Sequence, residues 1–372
     1  MSEADPIPRG PPGLGEPAPW FQAVALDGRR DYQFDTAGGR HILMLFLGSA
    51  REPRSAEALR TVAAHRGLLD DRRACFFGIT IDPEDAPAGR IRKQMPGIRY
   101  FLDYDRGISR LYGAAAAKGA RFRPFWLLLD PAMRVVNAFA IDRGDDAFAA
   151  LERAMSVPAL PDWAPVLMAP AVFEPAFCAT LIDYHGRHGD EESGVMRDVD
   201  GKSERIIDHQ YKKRRDCLIN DDLLRRQAQA RIMARLLPMV ERAFQFKATR
   251  MERYLVGCYD GGSGGFFSAH RDNTTYSTAH RRFAVTINLN ADEYDGGELR
   301  FPEYGERTYK PPTGGAVVFS CGLLHEATPV TRGRRLAFLP FLYDEEAAEI
   351  RERNNHLLGE SVSPYRAVPA AE

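Results

Sequence analysis

The chain has 372 residues, of which 44% are hydrophobic and 27% charged, and its 50 basic residues nearly balance its 51 acidic residues. This length exceeds one ordinary domain of roughly 150 residues and favours two domains. The balanced charge provides no global field for nucleic acid or a membrane surface, so we expect neither as a partner. The N-terminus has no signal-peptide pattern and no apolar run approaches the roughly 20 residues that span a bilayer, which predicts a cytoplasmic protein.

The N-terminal half alternates short apolar runs with amphipathic stretches, the pattern of an α/β layer with a largely parallel sheet. Apolar residues recur at spacings of three and four in the predicted helices. The predicted strands are 41–47, 75–81, 125–129 and 135–140, and the predicted helices are 55–69, 105–112 and 145–155.

A segment with three prolines, residues 157–165, separates this half from the next. Proline removes backbone donors and restricts the residue before it, so we place the domain boundary there. The predicted organisation is a flexible N-terminus (1–14), an α/β domain (15–156), a linker (157–165), a second domain (166–350) and a C-terminal tail (351–372).

The second domain begins with helices and continues as strands punctuated by glycine, which predicts an antiparallel sandwich or barrel. The fold class is therefore α+β with two domains. The predicted helices are 175–185 and 223–246, and the predicted strands are 250–259, 283–290, 298–302, 316–320 and 335–342.

Two histidines and one carboxylate in this domain have the composition of a metal site. His270 and Asp272 are two residues apart, so on an extended chain both side chains reach the same face. His325 follows a later strand, and Arg335 lies ten residues further on. Two His and one carboxylate form the facial triad of non-haem Fe(II) oxygenases, and a forked guanidinium suits a carboxylate of a co-substrate.

The segments around these residues resemble the prolyl-4-hydroxylase superfamily of 2-oxoglutarate oxygenases, over roughly residues 165–345. The resemblance implies a double-stranded β-helix (jelly-roll) with flanking helices, Fe(II) on His270, Asp272 and His325, and 2-oxoglutarate on Arg335, with Arg334 as the alternative. Molecular oxygen and ascorbate are further implied ligands. A metal-free relative is the other interpretation. The matching segments are CYDGGSGGFFSAHRDN, RRFAVTINLN, GGELRFPEYG and PPTGGAVVFSCGLLHEATPVTRGRRLAFLPF.

Two further residues are candidates for binding 2-oxoglutarate. Tyr259 matches a tyrosine of the family, although an ordinary strand aromatic is the alternative. Asn288 takes the position of a tyrosine that binds the far carboxylate in many relatives. It lies in a polar row, with Thr286 and Asn290, on a strand whose other face is apolar.

The basic segment DHQYKKRRDC, residues 208–217, has two interpretations. A solvated hairpin is the simpler one, because runs of charge usually face water. Alternatively, the segment draws an acidic or peptide substrate to the mouth of the site.

Residues 15–155 resemble the thioredoxin-like fold of peroxiredoxins, through GEPAPWFQAVALDGR, FLGSAREPRS and RPFWLLLDPAMRVV. The reactive cysteine of that family is replaced here by Ser55, and Glu52 stands where the family has threonine. Cys75 lies in an apolar strand, where a thiol is inert. The resemblance implies a redoxin fold without peroxidase chemistry, which could serve as a docking module for a substrate or partner.

These observations predict a dioxygenase that hydroxylates a C–H bond, releasing succinate and carbon dioxide. The resemblance implies a peptidyl residue such as proline as the substrate, with a free amino acid or small metabolite as the alternative. Two other classes stay open at this point: a non-catalytic sensor of iron or oxygen, and a thiol peroxidase.

Overall fold

The computed structural model describes residues 11–28, 30–116, 121–157 and 163–367. It divides the chain into two compact units. The first runs to Asp162 and also takes in Pro302–Gly305, and the second comprises Trp163–Phe301 and Glu306–Glu372. Residues 158–162 of the expected linker, 1–10 of the N-terminus and 368–372 of the tail lie outside the described residues. Within the described ranges, no helix is both long and apolar enough to cross a bilayer.

The first unit is built on a five-stranded sheet in the order β5-β4-β3-β6-β7. The expectation of a largely parallel sheet is wrong for two of its four strand pairs, because β6 runs antiparallel to both β3 and β7. The link between β6 and β7 is too short for the crossover that parallel strands need. The elements are β1 (Gln22–Ala23), β2 (Tyr32–Gln33), β3 (His41–Gly48), α1 (Pro53–Ala64), β4 (Ala74–Thr80), β5 (Ile98–Leu102), α2 (Gly107–Leu111), β6 (Phe125–Leu129), β7 (Val135–Ala140) and α3 (Gly144–Ser156).

Both faces of this sheet are buried, which explains the continuous apolar runs of β3 and β4. Alternate residues of β3 enter two separate cores: Met44 packs with Phe77 on one face, and Leu45 packs with Trp126 on the other. Helices α1 and α3 cover the second face. A mixed sheet with helices on its face agrees with the predicted thioredoxin-like α/β fold.

The second unit contains two larger antiparallel sheets. A nine-stranded sheet has the path β14-β25-β17-β24-β15-β13-β9, with β21 paired to β17 and β8 paired to β21, and a five-stranded sheet has the order β12-β16-β22-β19-β20. The strands are β8 (Leu167–Ala169), β9 (Glu191–Glu192), β10 (Val195–Val199), β11 (Lys202–Ile206), β12 (Lys212–Lys213), β13 (Arg215–Leu218), β14 (Arg250–Glu252), β15 (Leu255–Asp260), β16 (Phe266–His270), β17 (Phe283–Asn288), β18 (Asp295–Gly296), β19 (Leu299–Arg300), β20 (Thr308–Tyr309), β21 (Ala316–Ser320), β22 (His325–Ala327), β23 (Val330–Arg332), β24 (Arg334–Phe338) and β25 (Phe341–Tyr343).

Helices cover one face of the nine-stranded sheet. Residues such as Leu181 and Ile232 of these helices share one core with Val256, Ile287 and Phe338 of the strands. The opposite face of the same strands is left to form the wall of a cleft. This arrangement agrees with the predicted jelly-roll with flanking helices: α4 (Pro175–His188), α5 (Asp222–Arg235), α6 (Leu237–Phe244) and α7 (Glu345–Arg353).

Three elements that the sequence predicts as continuous are broken in the structure. The helix expected over 223–246 divides at Leu236, because Pro238 in the next turn has no backbone N–H to continue the ladder. The strand expected over 250–259 breaks at Arg253, whose φ of 65° is left-handed. The strand expected over 335–342 breaks before Pro340.

Candidate metal centre and co-substrate pocket

A cleft in the second unit contains most of the predicted site residues. Its empty space, counted out to solvent, is about 500 Å³. Residues of the nine-stranded sheet line one side and residues of the five-stranded sheet line the other. The lining includes His270, Asp272, His325, Arg335 and Tyr259.

His270 is the last residue of β16, and its ring is held from two sides. Its Nδ1 donates to the carbonyl oxygen of Ser268 at 2.7 Å, which leaves the lone pair of Nε2 free for a metal. The ring of Phe267 stacks on the imidazole with the centroids 3.5 Å apart. Burial and the neighbouring His325 lower the pKa of His270 to about 4, so the imidazole is neutral at physiological pH.

His325 begins β22, directly opposite His270 in the strand register. Its Nδ1 donates to the carbonyl oxygen of Leu323 at 3.0 Å, so its Nε2 also faces the cleft. The ring of Phe319 meets the imidazole edge to face at 4.5 Å. Antiparallel pairing of β16 and β22 therefore brings together two histidines that are 55 positions apart in the sequence.

Asp272 lies just beyond β16, where its backbone N–H donates to the carbonyl oxygen of Cys321 at 2.9 Å. Its Oδ1 is 3.5 Å from His270 Nε2, and its Oδ2 is 3.2 Å from His325 Nε2. Burial alone would raise the pKa of Asp272, but His325 and His270 outweigh it and hold the pKa well below its usual range. The carboxylate is therefore ionised and carries the negative charge that a cation needs.

These three side chains fit a divalent metal ion. One ligand atom from each lies within 4.8 Å of the other two. Two neutral imidazoles and one carboxylate are the donor set of non-haem Fe(II) oxygenases, which leaves coordination positions open for other ligands. When bound there, Fe(II) supplies the activation of dioxygen that accompanies decarboxylation of 2-oxoglutarate.

A second group of ligating side chains fits a cation poorly. His185, Asp190 and Cys258 also lie within 4.8 Å of one another. However, Asp190 already pairs with Arg215, and Arg334 donates to the sulfur of Cys258. Two guanidinium groups beside this group would repel a metal ion.

The structure separates the two arginines that the sequence left as alternatives. Arg335 is 2% exposed and lines the cleft, whereas Arg334 is exposed and points to the other face of β24. The Nε of Arg335 is buried, and among the described residues it has no hydrogen-bond partner. An unpartnered guanidinium nitrogen inside the cleft fits the far carboxylate of 2-oxoglutarate.

Tyr259 and Asn288, the two further candidates, occupy different environments. Tyr259 lines the cleft, and its ring lies 5.1 Å from the guanidinium of Arg335. Asn288 is not among the residues that line the cleft, and its amide nitrogen donates to the carbonyl of Pro311 at 2.9 Å. The Asn288 amide oxygen is buried without a partner among the described residues.

Sequence reasoning missed Tyr294 near this pocket. Its hydroxyl is buried beside the Arg335 guanidinium and makes no hydrogen bond of good geometry to another described residue. Tyr294 could therefore share a bound carboxylate with Arg335. It follows a short turn in the segment ADEYDGG, where a single sequence gives no signal that would distinguish it from a packing aromatic.

The basic segment 208–217 is not a fully solvated hairpin, so the simpler of its two interpretations is wrong. Lys212 is 4% exposed and Arg214 is 9% exposed, while Lys213 and Arg215 face outward. The alternation follows the two-residue period of an extended chain. Arg214 lines the same cleft as the candidate metal ligands.

In the first unit, Ser55, at the position that the resemblance assigns to the peroxiredoxin nucleophile, is buried and hydrogen-bonded. Ser55 lies in the first turn of α1, and its buried hydroxyl donates to the carbonyl of Leu47 at 2.6 Å. Cys75 is buried, and burial raises the pKa of its thiol to about 11. This agrees with the expectation that Cys75 is unreactive.

Comparisons with known proteins give the family. Residues 254–343 match the model of the 2OG-Fe(II) oxygenase superfamily. A PKHD-type hydroxylase of Shewanella sp. (strain MR-4) is 31% identical over 190 residues, which cover 49% of this chain and 83% of that protein. Another, from Saccharophagus degradans, is 38% identical over 91 residues, or 22% of this chain and 39% of that protein.

Among solved structures, the chain is similar to the viral collagen prolyl hydroxylase of Paramecium Bursaria Chlorella virus-1, with 15% identity and a TM-score of 0.36 over 49% of this chain and 98% of that one. It is also similar to the peroxidoxin BcpB of Mycobacterium tuberculosis, with 17% identity and a TM-score of 0.32 over 38% and 97%. Both scores are below 0.5, so the assignment rests on the sequence relatives and on the strand order.

The two imidazoles and the carboxylate, the family match and the relatives together define an Fe(II)- and 2-oxoglutarate-dependent oxygenase. The chain belongs to the PKHD-type hydroxylases of this superfamily. It is therefore an oxidoreductase.

Proposed function

We propose that this enzyme hydroxylates a C–H bond of a peptidyl residue such as proline, with succinate and carbon dioxide as co-products. The observation that carries the proposal is the position of His270, Asp272 and His325 within 4.8 Å of one another in an open cleft. In this scheme the three side chains hold Fe(II), and Arg335 holds the far carboxylate of 2-oxoglutarate.

The residues around the cleft have separate tasks in this proposal. Ser268 and Leu323 orient the two imidazoles through their carbonyl oxygens. Arg335 would fix one end of the co-substrate, so that its other end would lie toward the metal ion held by His270, Asp272 and His325. Phe267 and Phe319 shield the imidazoles from water, which strengthens the electrostatic interactions of the site.

A peptide substrate is supported by the resemblance of the segments around the site to the prolyl-4-hydroxylase superfamily. A free amino acid or a small metabolite is the second candidate. A non-catalytic sensor is disfavoured, because the relatives that define the family are hydroxylases.

The test incubates the full-length protein with Fe(II), 2-oxoglutarate and oxygen, with either proline-containing peptides or free amino acids. We expect succinate formation and the mass gain of one oxygen atom in a peptide, both absent in His325→Ala. Hydroxylation of free amino acids alone would transfer the assignment to the second candidate. Omitting ascorbate from the same assay tests whether it sustains turnover.

A further inference from the structure

The cleft contains a second cationic group that the proposed chemistry does not use. Arg214 and Arg253 line the same cleft as His270 and Asp272. Lys212 precedes Arg214 on the chain and is 4% exposed. Asp216 is the carboxylate that pairs with both arginines.

Arg214 is held in place by nearly all of its donors. Its Nε and Nη2 grip the two carboxylate oxygens of Asp216 at 2.6 and 2.8 Å, and Nη2 also donates to Ser193 Oγ at 3.0 Å. Its Nη1 is 3.5 Å from the hydroxyl of Tyr259. Arg214 therefore positions its neighbours and has little capacity left for a ligand.

Strand β15 leaves space for the side chain of Arg214. A Cβ on Gly257 of β15 would lie 2.7 Å from Leu339 Cδ1 and 3.3 Å from Arg214 Cδ. Gly257 does not have a positive φ, so its role here is to leave space. The glycine in the nine-stranded sheet thus allows the side chain of Arg214 to point inward.

Arg253, in contrast, has donors to spare. The contact of its Nη2 with Asp216 at 3.1 Å is the one hydrogen bond that it makes to the part of the chain that the structure describes. Its side chain is 29% exposed, within the cleft lining. Its left-handed φ of 65° is a conformation that non-glycine residues rarely adopt, and it turns the chain between β14 and β15.

The charges of this group do not balance. Asp216 is shared by two guanidinium groups, and Lys212 adds a third basic side chain whose pKa burial and Arg214 lower well below the usual value. Even with Lys212 neutral, one positive charge remains. The nearby Glu252 does not supply the balance, because it already pairs with Arg281 and Arg351.

An uncompensated charge in a partly buried cleft is costly unless an anion joins it. The two carboxylates of 2-oxoglutarate are assigned elsewhere, one to the metal and one to Arg335. We propose that the substrate itself carries a carboxylate, which Arg253 binds through its free donors while Asp216, gripped by Arg214, holds Arg253 in position. This inference rests on the proposed function for the reaction, and it specifies the substrate class.

Such a carboxylate has two sources, which a peptide set separates. The full-length protein is loaded anaerobically with Fe(II) and 2-oxoglutarate, and binding is measured by calorimetry. The probes are a proline-centred peptide with an adjacent glutamate and an amidated C-terminus, the same peptide with glutamine, the glutamine peptide with a free C-terminus, and free L-proline.

We expect at least one carboxylate probe to bind wild type about tenfold more tightly than the glutamine amide, which corresponds to about 1.4 kcal/mol. Arg253→Gln should remove this preference, and Arg253→Lys should restore part of it. Arg231→Gln is the matched control, because Arg231 also pairs with one carboxylate, is 26% exposed and is not part of the cleft lining. This control should keep the full preference.

Preference for the glutamate peptide identifies an acidic side chain as the source, and preference for the free C-terminus or L-proline identifies a main-chain carboxylate. If no carboxylate probe binds wild type better than it binds Arg253→Gln, the inference is overturned. Hydroxylation of the glutamine amide as efficient as that of the carboxylate probes would also overturn it while leaving the proposed reaction intact. Arg253-dependent binding of L-proline, without hydroxylation of any peptide, would contradict the peptidyl substrate alone.

Discussion

Arg334 and Arg335 are adjacent residues of β24 that meet opposite environments, one exposed and one 2% exposed in the cleft. Arg335→Ala should raise the concentration of 2-oxoglutarate required for half-maximal turnover at least about a hundredfold. Removing one partner of a buried charge pair costs about 3–5 kcal/mol. Steady-state succinate formation, titrated separately in 2-oxoglutarate and in Fe(II), measures the effect.

Arg334→Ala is the control for this substitution and should leave both titrations unchanged. The iron requirement should move far less than the 2-oxoglutarate requirement in Arg335→Ala. A large defect in Arg334→Ala beside a normal Arg335→Ala would exchange the two assignments.

A second prediction concerns the three metal ligands. His270→Ala and His325→Ala should each lose bound Fe(II), because a site with two protein ligands has too few donors to retain the ion. Asp272→Ala should do the same, since it removes the anionic ligand. Metal analysis after anaerobic loading, together with the visible absorption of the iron and 2-oxoglutarate complex, measures the loss. Full iron content in any of these variants would show that its ligand is misassigned.

The sequence was most informative for residues that form an uncommon combination of types. His270, Asp272, His325 and Arg335 were predicted from their residue types and spacing together with the family resemblance of the segments around them. Tyr294 and Arg253 were not identified, since a tyrosine after a turn and an arginine between strands have many ordinary roles. Their environment depends on chain segments that are remote in sequence.

Among the elements, the segment from β14 to α7 contains a buried ionic network. Glu252 of β14 pairs with Arg281 and with Arg351 of α7, and the Nε2 of His280 lies 3.2 Å from its carboxylate. Burial alone would raise the pKa of Glu252, but Arg281, His280 and Arg351 outweigh it and hold the pKa well below its usual range. The network thus joins β14, the start of β17 and α7.

The pKa of Glu252 is lower in the folded state than in the unfolded state. The ionised carboxylate therefore stabilises the fold above the unfolded pKa of about 4.5, and this stabilisation is lost as pH falls through the folded pKa. Glu252→Gln should lower the local stability of β14 and α7 by about 3–5 kcal/mol at neutral pH. Amide hydrogen exchange resolved by peptide measures this, with Glu349→Gln as the control, because Glu349 lies on the same helix, is exposed and makes no ion pair with another described residue. Equal protection of α7 in wild type and Glu252→Gln would refute the network's role.

Element boundaries show where sequence patterns stop being informative. Strands β6, β7 and β21 were predicted with the bounds that the structure has, because turn residues delimit their apolar runs. Strands β16 and β22 were missed, although they carry His270 and His325. Their sequences, FFSAH and HEA, are too short and too irregular to show the hydrophobic alternation on which the prediction depends.

For the whole molecule, the first unit retains a redoxin-like core without a reactive thiol. The full-length protein, stripped of metal by a chelator, should not consume hydrogen peroxide with dithiothreitol. A serine hydroxyl is essentially never ionised at neutral pH, and burial raises the pKa of Cys75 to about 11. Steady peroxide consumption would contradict this prediction, and its loss in Cys75→Ser would identify that thiol as the nucleophile.

We therefore propose that the first unit has a non-catalytic role, as a docking module for a substrate or partner. The two-domain α+β class was predictable from the change in periodicity along the chain. The antiparallel half of the first sheet was not predicted, because a buried strand reads as an apolar run in either direction.

Both metal-ligating imidazoles are oriented by the same local device, an Nδ1 bond to the carbonyl oxygen two residues earlier. Each ring direction is therefore encoded within three consecutive residues and does not depend on a distant partner. A site assembled from such self-contained parts tolerates change in the surrounding loops. Lineages could thus diversify the walls of the cleft, and with them the choice of substrate, while inheriting the metal centre unaltered.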